Sequence, residues 1–188
     1  MTATTQTRLA LTYEDYALLP QDGRRWELVG GDFVVSPAPT SQHQAVVFEL
    51  SGQFREQLRD RKLARVLPSP IDVILDRTNT VQPDLVVVKL ARKGIITRRG
   101  VDGVPDLVVE VVSPHNPAQD LVLKRHLYER FAVPEYWLVD PDERSVQVLS
   151  LEGKSYVEAV SLRVKGAVRS PLFRSLKVSL EDLFAELY

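Results

Sequence analysis

The segment Leu107-Val-Val-Glu-Val-Val112 sets one carboxylate in the middle of a run that is apolar on both faces. Side chains alternate across a strand, so a run with no polar alternation belongs to a strand covered on both sides. A chain that contains such a strand must cover both faces of its sheet. Its 188 residues, 44% of them hydrophobic, suffice for one domain with a core of that kind. We expect a single domain over residues 1–188, with residues 1–11 as a loose N-terminal tail. Glu110 is costly in this setting. A buried carboxylate must be protonated, paired with a cation or bound to a metal, because leaving it unpaired costs several kcal/mol.

The elements around this strand follow from periodicity and turn chemistry. Thr12, with Asp15 three positions on, forms a capping box that opens a short helix to about Leu19. Strands are predicted over residues 26–29 and 32–36, joined by Gly30-Gly31, a pair suited to a two-residue hairpin. Val46, Val47, Leu50, Phe54 and Leu58 recur at helical spacing and predict a long amphipathic helix over residues 41–59. Strand-like runs follow at 64–67, 71–75, 85–90 and 107–112, with Pro68, Pro70, Asn79 and Pro83 as turn residues between them. A second helix is expected over 117–131, capped by Asn116 with Pro117 at the first helical position and stopped by Pro134. A strand at 135–139 then completes a strand, helix, strand unit, the pattern of a crossover between parallel neighbours. Residues 145–149 and 156–160 read as a meander, and Ser179 opens a terminal helix.

Two further charges stand out. Plotted at roughly 100° per residue, Leu127, Tyr128 and Phe131 form an apolar arc, and Lys124 falls at its centre. Lys124 is thus aimed at the sheet and needs an anionic partner there, unless Asp120, four residues earlier, holds it as an ordinary intrahelical pair. In Gln82-Pro-Asp-Leu-Val-Val-Val88, Asp84 enters as an apolar strand begins; taken alone, this is most often a turn or strand-entry feature. One arrangement accounts for all three charges: Asp84 and Glu110 on adjacent strands, met by Lys124 from the covering helix. Two carboxylates of this kind hold a hard divalent cation, magnesium or manganese, as metal ligands. With a lysine to orient or deprotonate a water and to stabilise developing negative charge, the chemistry is phosphodiester hydrolysis.

Composition narrows the alternatives. Lys and Arg total 24 against 25 Asp and Glu, so a net charge of -1 gives no global attraction to nucleic acid, and any contact must come from a local basic patch. The two patches are Arg92, Lys93, Arg98 and Arg99, and Arg55, Arg59, Arg61, Lys62 and Arg65; each reads as solvated surface unless it flanks the acidic site. The absence of cysteine removes disulfides, thiolate metal sites and cysteine nucleophiles. With no signal-like N-terminus and no long apolar span, the expected location is cytoplasmic, with no membrane association.

Taken together, Arg25-Trp-Glu-Leu-Val-Gly-Gly31, His43, Gln82-Pro-Asp84, Val109-Glu-Val-Val-Ser-Pro114, Asp120-Leu-Val-Leu-Lys-Arg-His-Leu-Tyr128 and Val133-Pro-Glu-Tyr-Trp-Leu-Val-Asp-Pro141 resemble the Uma family of restriction-endonuclease-like proteins. That family lies within the PD-(D/E)XK nuclease superfamily, and the resemblance spans residues 13–149. It implies an α/β fold with a restriction-endonuclease-like core, a mixed central sheet flanked by helices, and an added N-terminal hairpin and C-terminal strands. It also implies a metal-dependent endonuclease acting on nucleic acid, with DNA favoured, and Asp84 and Glu110 in the acidic positions of the motif. The motif lysine belongs two residues after the second acid, where this chain has Val112; Lys124 is the candidate for its relocated equivalent.

Further candidates are weaker. By resemblance Glu27 reaches the site as an additional acid; the alternative is an ordinary half-exposed strand glutamate. His43 at a helix start is a further candidate. Gln82 either lines the metal pocket or merely precedes a proline, and Asp72 is equally explained as a buried acceptor. His115 and His126 read as surface residues. A homodimer is expected by analogy with duplex cutting. Two rivals remain open: a catalytically inactive nucleic-acid- or protein-binding module on the same fold, and a glycoside hydrolase using the paired acids.

Overall fold

A computed structural model describes residues 9–20, 22–113 and 119–187. Helix α1 (Tyr13–Tyr16) opens on the expected capping box, the Asp15 carboxylate accepting from the Thr12 N–H at 2.8 Å, and ends at Tyr16 instead of near Leu19. Strands β1 (Arg25–Val29) and β2 (Asp32–Ser36) form the expected hairpin, with Val29 opposite Asp32. Gly30 and Gly31 take φ of 61° and 80°, which a tight turn matched to the strand twist requires. A Cβ on Gly31 would lie 2.6 Å from that of Ala10. Leu11 N–H also donates to the Gly31 carbonyl at 3.0 Å, so residues 10 and 11 are docked on the hairpin and are not part of a loose tail.

Helix α2 (Ser41–Phe54) is capped by Thr40 and runs on into a π-helical turn, Arg55–Arg59. Val46, Val47, Leu50, Phe54 and Leu58 are its buried face, as their spacing predicts. Next come β3 (Ala64–Pro68), β4 (Val73–Asp76), β5 (Asn79–Val81) and β6 (Leu85–Lys89). A 3-10 turn (Leu90–Ile95), β7 (Val101–Asp102) and β8 (Leu107–Val111) follow. β5 begins at Asn79, read in the sequence as a turn residue. Asn79 does both jobs: its amide donates to Asp76 Oδ1 and accepts from Gly30 N–H, each at 2.8 Å.

A π-helical stretch, Gln119–Lys124, leads into α3 (Arg125–Arg130). The expected caps Asn116 and Pro117 and the surface residue His115 lie outside the described residues. The chain closes with β9 (Glu135–Asp140), β10 (Ser145–Glu152), β11 (Ser155–Arg163), β12 (Ala167–Arg169), β13 (Lys177–Ser179) and α4 (Leu180–Leu183). The Ser179 hydroxyl caps α4, accepting from Asp182 N–H at 3.2 Å.

The fold is mixed α/β. One sheet has the order β11-β10-β9-β8-β6-β3, a second β2-β1-β5-β4-β7, and β12 and β13 make a short ribbon. Within the first sheet β8 and β9 are parallel, as the strand, helix, strand pattern predicts. Alternation along β8 divides the core. Leu107, Val109 and Val111 pack with Val46, Leu50 and Phe54 of α2 and with Trp137. Val108 packs on the other side with Tyr128, Tyr136 and Val73, Val81 and Val101 of the second sheet. Glu110 shares the face of Val108, beneath α3. Among the described residues no helix is long and apolar enough to cross a membrane.

Candidate active site

Strands β6 and β8 are antiparallel, with Leu85 opposite Val109. One pair beyond, a step back from Leu85 and a step on from Val109, Asp84 comes level with Glu110 on the same face. Both are buried, at 2% and 1% exposure. Lys124 reaches them from above. Its Nζ lies 3.0 Å from Glu110 Oε1 and 3.1 Å from Oε2. It also lies 3.1 Å from Glu27 Oε1, and the side chain is 3% exposed. Lys124 stands where the π-helical stretch passes into regular α-helix, and from there Lys124, Leu127 and Tyr128 follow the three- and four-residue spacing of one face. Tyr128 uses that face to donate its hydroxyl to Glu110 Oε1 at 2.6 Å. Burial, with the charges of Glu110 and Glu27, pushes the Tyr128 phenol well above 10, so it stays a donor at neutral pH.

Asp84 is held from three directions. Its Oδ1 meets Arg25 Nη1 at 3.1 Å, and its Oδ2 meets His43 Nε2 at 3.2 Å and accepts from Val111 N–H at 2.9 Å. Burial pushes the Asp84 carboxyl up, but the His43 hydrogen bond and the charges of Arg25, His43 and Lys124 outweigh it and hold the group at about 2. Arg25 reciprocates: burial opposes its charge, and Asp84, Glu110 and Glu27 together raise its pKa above the ordinary arginine value.

These residues wall a pocket of ≈ 40 Å³, lined by Arg25, His43, Asp84, Glu110, Ser113 and Lys124. A single water takes about 10–15 Å³ of such space, so the pocket admits an ion with a few oxygen ligands and no nucleobase. Three carboxylates (Asp84, Glu110, Glu27) against Arg25 and Lys124 leave one unit of negative charge when His43 is neutral. Among the described residues no three His, Asp or Glu groups converge on a point. A cation here would therefore take Asp84 and Glu110 and fill its shell with water and phosphate oxygens, the habit of magnesium. The donor set fits a hard divalent ion on those terms.

The sequence-derived candidates thus meet, apart from the Gln82 side chain. Glu27 and His43 join the cluster; Glu27 is fully buried and accepts from Gln82 N–H at 2.7 Å. The Gln82 side chain turns away from the acidic pocket, donating to Tyr16 Oη at 3.1 Å and to Asp72 Oδ1 at 2.8 Å on the wall of a neighbouring cavity. Asp72 is an acceptor in that network, His126 is exposed, and the Asp120 side chain lies outside what the structure describes. Two residues of the site were missed. Arg25 opens β1 beside Arg24 and looks like half of a surface pair, and Tyr128 entered the helical wheel as one more apolar residue. Lys124 within 3.1 Å of Glu110 also counts against glycoside hydrolysis, which has no use for an ammonium on its acids.

The sheet thus carries an acidic pair, Asp84 and Glu110, and an inward lysine, Lys124, at one strand end. The model of the Uma2 family, described as "putative restriction endonuclease", matches residues 13–181, and the chain belongs to this family. That description is of a nuclease, a protein acting on nucleic acid. The match runs past residue 149, where the resemblance seen in the sequence stops. Among solved structures the chain is similar to one described as "a putative nuclease belonging to DUF820" from Anabaena variabilis ATCC 29413. The two are 21% identical, the likeness covers 93% of this chain and 98% of that one, and the TM-score is 0.75, which shows a shared fold. No curated protein gives a significant match.

Proposed function

We propose that this chain is a metal-dependent endonuclease that hydrolyses phosphodiester bonds in DNA, with Asp84 and Glu110 holding a magnesium or manganese ion. The observation that carries this reading is the Lys124 ammonium, buried between Glu110 and Glu27 on the wall of the pocket that Asp84 also lines. Such an ion, when bound, supplies charge neutralisation at the phosphoryl oxygens and an acidified water. Lys124 then orients the attacking water and offers hydrogen bonds to the oxygens that gain charge in the transition state. Glu27 and Tyr128 hold Lys124 and Glu110 in place, a supporting role of the kind that fixes ligands and bases at metal sites. Arg25 and His43 orient Asp84. Cutting both strands of a duplex takes two such sites, so the working assembly is a homodimer.

One feature favours the rival, an inactive binding module: both oxygens of Asp84 are already engaged by Arg25, His43 and Val111 N–H. Incubation with supercoiled, linear and single-stranded DNA across several divalent metals separates the two. The proposal predicts cleavage with magnesium or manganese, none in chelator, and none by Lys124→Met. DNA binding without cleavage under any metal would establish the rival.

A further inference from the structure

Beside the acidic pocket lies a larger cavity of ≈ 690 Å³, and the two share Arg25 and Pro39 as walls. Tyr13, Tyr16 and Trp26 give it an aromatic lining, and Gln44, Asp72 and Gln82 supply hydrogen-bonding groups. Past Asp72 and Gln82 the surface continues into a recess bounded by Arg98 and Arg99. The order along the surface is therefore acidic pocket, aromatic cavity, basic rim. Of the two basic patches this is the one beside the site; Arg55 lies about 18 Å along the α2 axis from His43, at 1.5 Å per residue.

The chemistry of the cavity suits a nucleobase. The Arg24 guanidinium lies over the Trp26 ring at 4.8 Å, and that of Arg99 over the Tyr13 ring at 5.3 Å. Bases stack on aromatic rings and on guanidinium planes, and their edges are read by fixed polar groups. The polar groups here are fixed: Asp72 Oδ1 accepts from Tyr16 Oη and from Gln82 Nε2, each at 2.8 Å. The same Gln82 donates its backbone N–H to Glu27, which holds Lys124, so the cavity floor is tied to the catalytic cluster. The acidic pocket is too small for a base, whereas this cavity lies within the range of about 300–1,000 Å³ typical of small-molecule sites.

Resting on the nuclease reading above, we propose that this cavity receives the base of the nucleotide adjoining the scissile phosphate. The substrate class is then nucleic acid unpaired at the cut, either single-stranded or flipped out of a duplex, with Arg98 and Arg99 meeting the next phosphate. A base still stacked in a duplex cannot enter.

The test measures binding in chelator, where no metal-dependent cleavage occurs. A short DNA carrying one 2-aminopurine is presented as a single strand, as a perfect duplex and as a duplex with that base bulged; anisotropy reports affinity, and 2-aminopurine intensity reports stacking. The single strand and the bulge are expected to bind about tenfold tighter than the perfect duplex, with quenching on capture. Trp26→Ala and Tyr13→Ala are each expected to lose about tenfold, and Trp26→Phe to regain most of it. Circular dichroism and melting confirm that each variant is folded. Equal affinity for paired and unpaired DNA, or folded Trp26→Ala and Tyr13→Ala proteins that bind as wild type, would overturn the proposal. If metal-dependent cleavage persists without base preference, only this proposal falls; if unpaired bases are captured through Trp26 and no metal supports cleavage, only the nuclease reading falls.

Discussion

Glu110 and Glu135 lie on neighbouring parallel strands, β8 and β9, and both are buried, but they face opposite sides of the sheet. Glu135 looks toward α2 and accepts from neutral donors, with the Lys89 charge acting on it from further away. Its Oε1 accepts from the Trp137 indole at 2.6 Å, and its Oε2 from the Ser170 hydroxyl at 3.0 Å and Leu172 N–H at 2.8 Å. Glu110 looks toward α3, meets an ammonium and a phenol, and opens on a pocket. Burial alone therefore does not make a carboxylate a site. Glu135 ties the C-terminal segment to the sheet; Glu110 has a cation for a partner and space beside it for a reactant.

The largest expected effect contrasts the same isosteric change on the two faces. Glu110→Gln should lower the cleavage rate by about 1,000-fold, whereas Glu135→Gln should leave the rate per folded molecule unchanged in the same steady-state assay. The next reverses the order in stability. Glu135→Ala leaves the Trp137, Ser170 and Leu172 donors unpaired in the core and should cost on the order of 3 kcal/mol in urea unfolding, with no effect on the rate of the folded fraction.

Acid separates the two faces further. In the fold the Asp84 carboxyl is held at about 2 against an ordinary 3.8, so its ionised form stabilises the protein. That contribution, on the order of 2 kcal/mol, is fully present above the ordinary value and is lost as pH falls through about 2. Glu135 works in the opposite sense. Burial raises its carboxyl above 4.5, so stability declines as pH rises from 4.5 through the folded value. Urea unfolding in chelator should show the acid loss abolished in Asp84→Asn and the decline above pH 4.5 abolished in Glu135→Gln. The smallest effect is expected of Tyr128→Phe, which removes one donor from Glu110: about 1 kcal/mol of stability, and less than about tenfold in rate.

The same contrast shows what a sequence exposes. Glu110 was legible because a charge interrupts a run that is apolar on both faces, and Lys124 because it falls within a helical apolar arc. The π-helical stretch that ends at Lys124 did not spoil that reading, since Leu127 and Tyr128, which share its face, lie in the regular helix that follows. Glu135 was not legible: it follows Pro134 at a strand start, where a polar residue ordinarily meets water. Its partners Ser170 and Leu172 lie far along the chain. Arg25 was hidden for the same reason, because its pairing with Asp84 spans 59 positions. β5 was masked by Asn79, whose side chain serves the adjacent turn while its backbone belongs to a strand. Local periodicity reveals which face a residue takes, and the partners waiting on that face come from long-range pairing.

The central claim, that Asp84 and Glu110 form a metal-binding pair, is tested most directly by calorimetric titration of manganese into the full chain and into an Asp84→Asn, Glu110→Gln double variant. The double variant keeps the shape of both side chains but turns one acceptor oxygen of each into an amide donor, so circular dichroism and melting must show that it is folded. Binding by wild type that is lost in the double variant is the predicted result. No binding by wild type, or equal binding by both proteins, would contradict it.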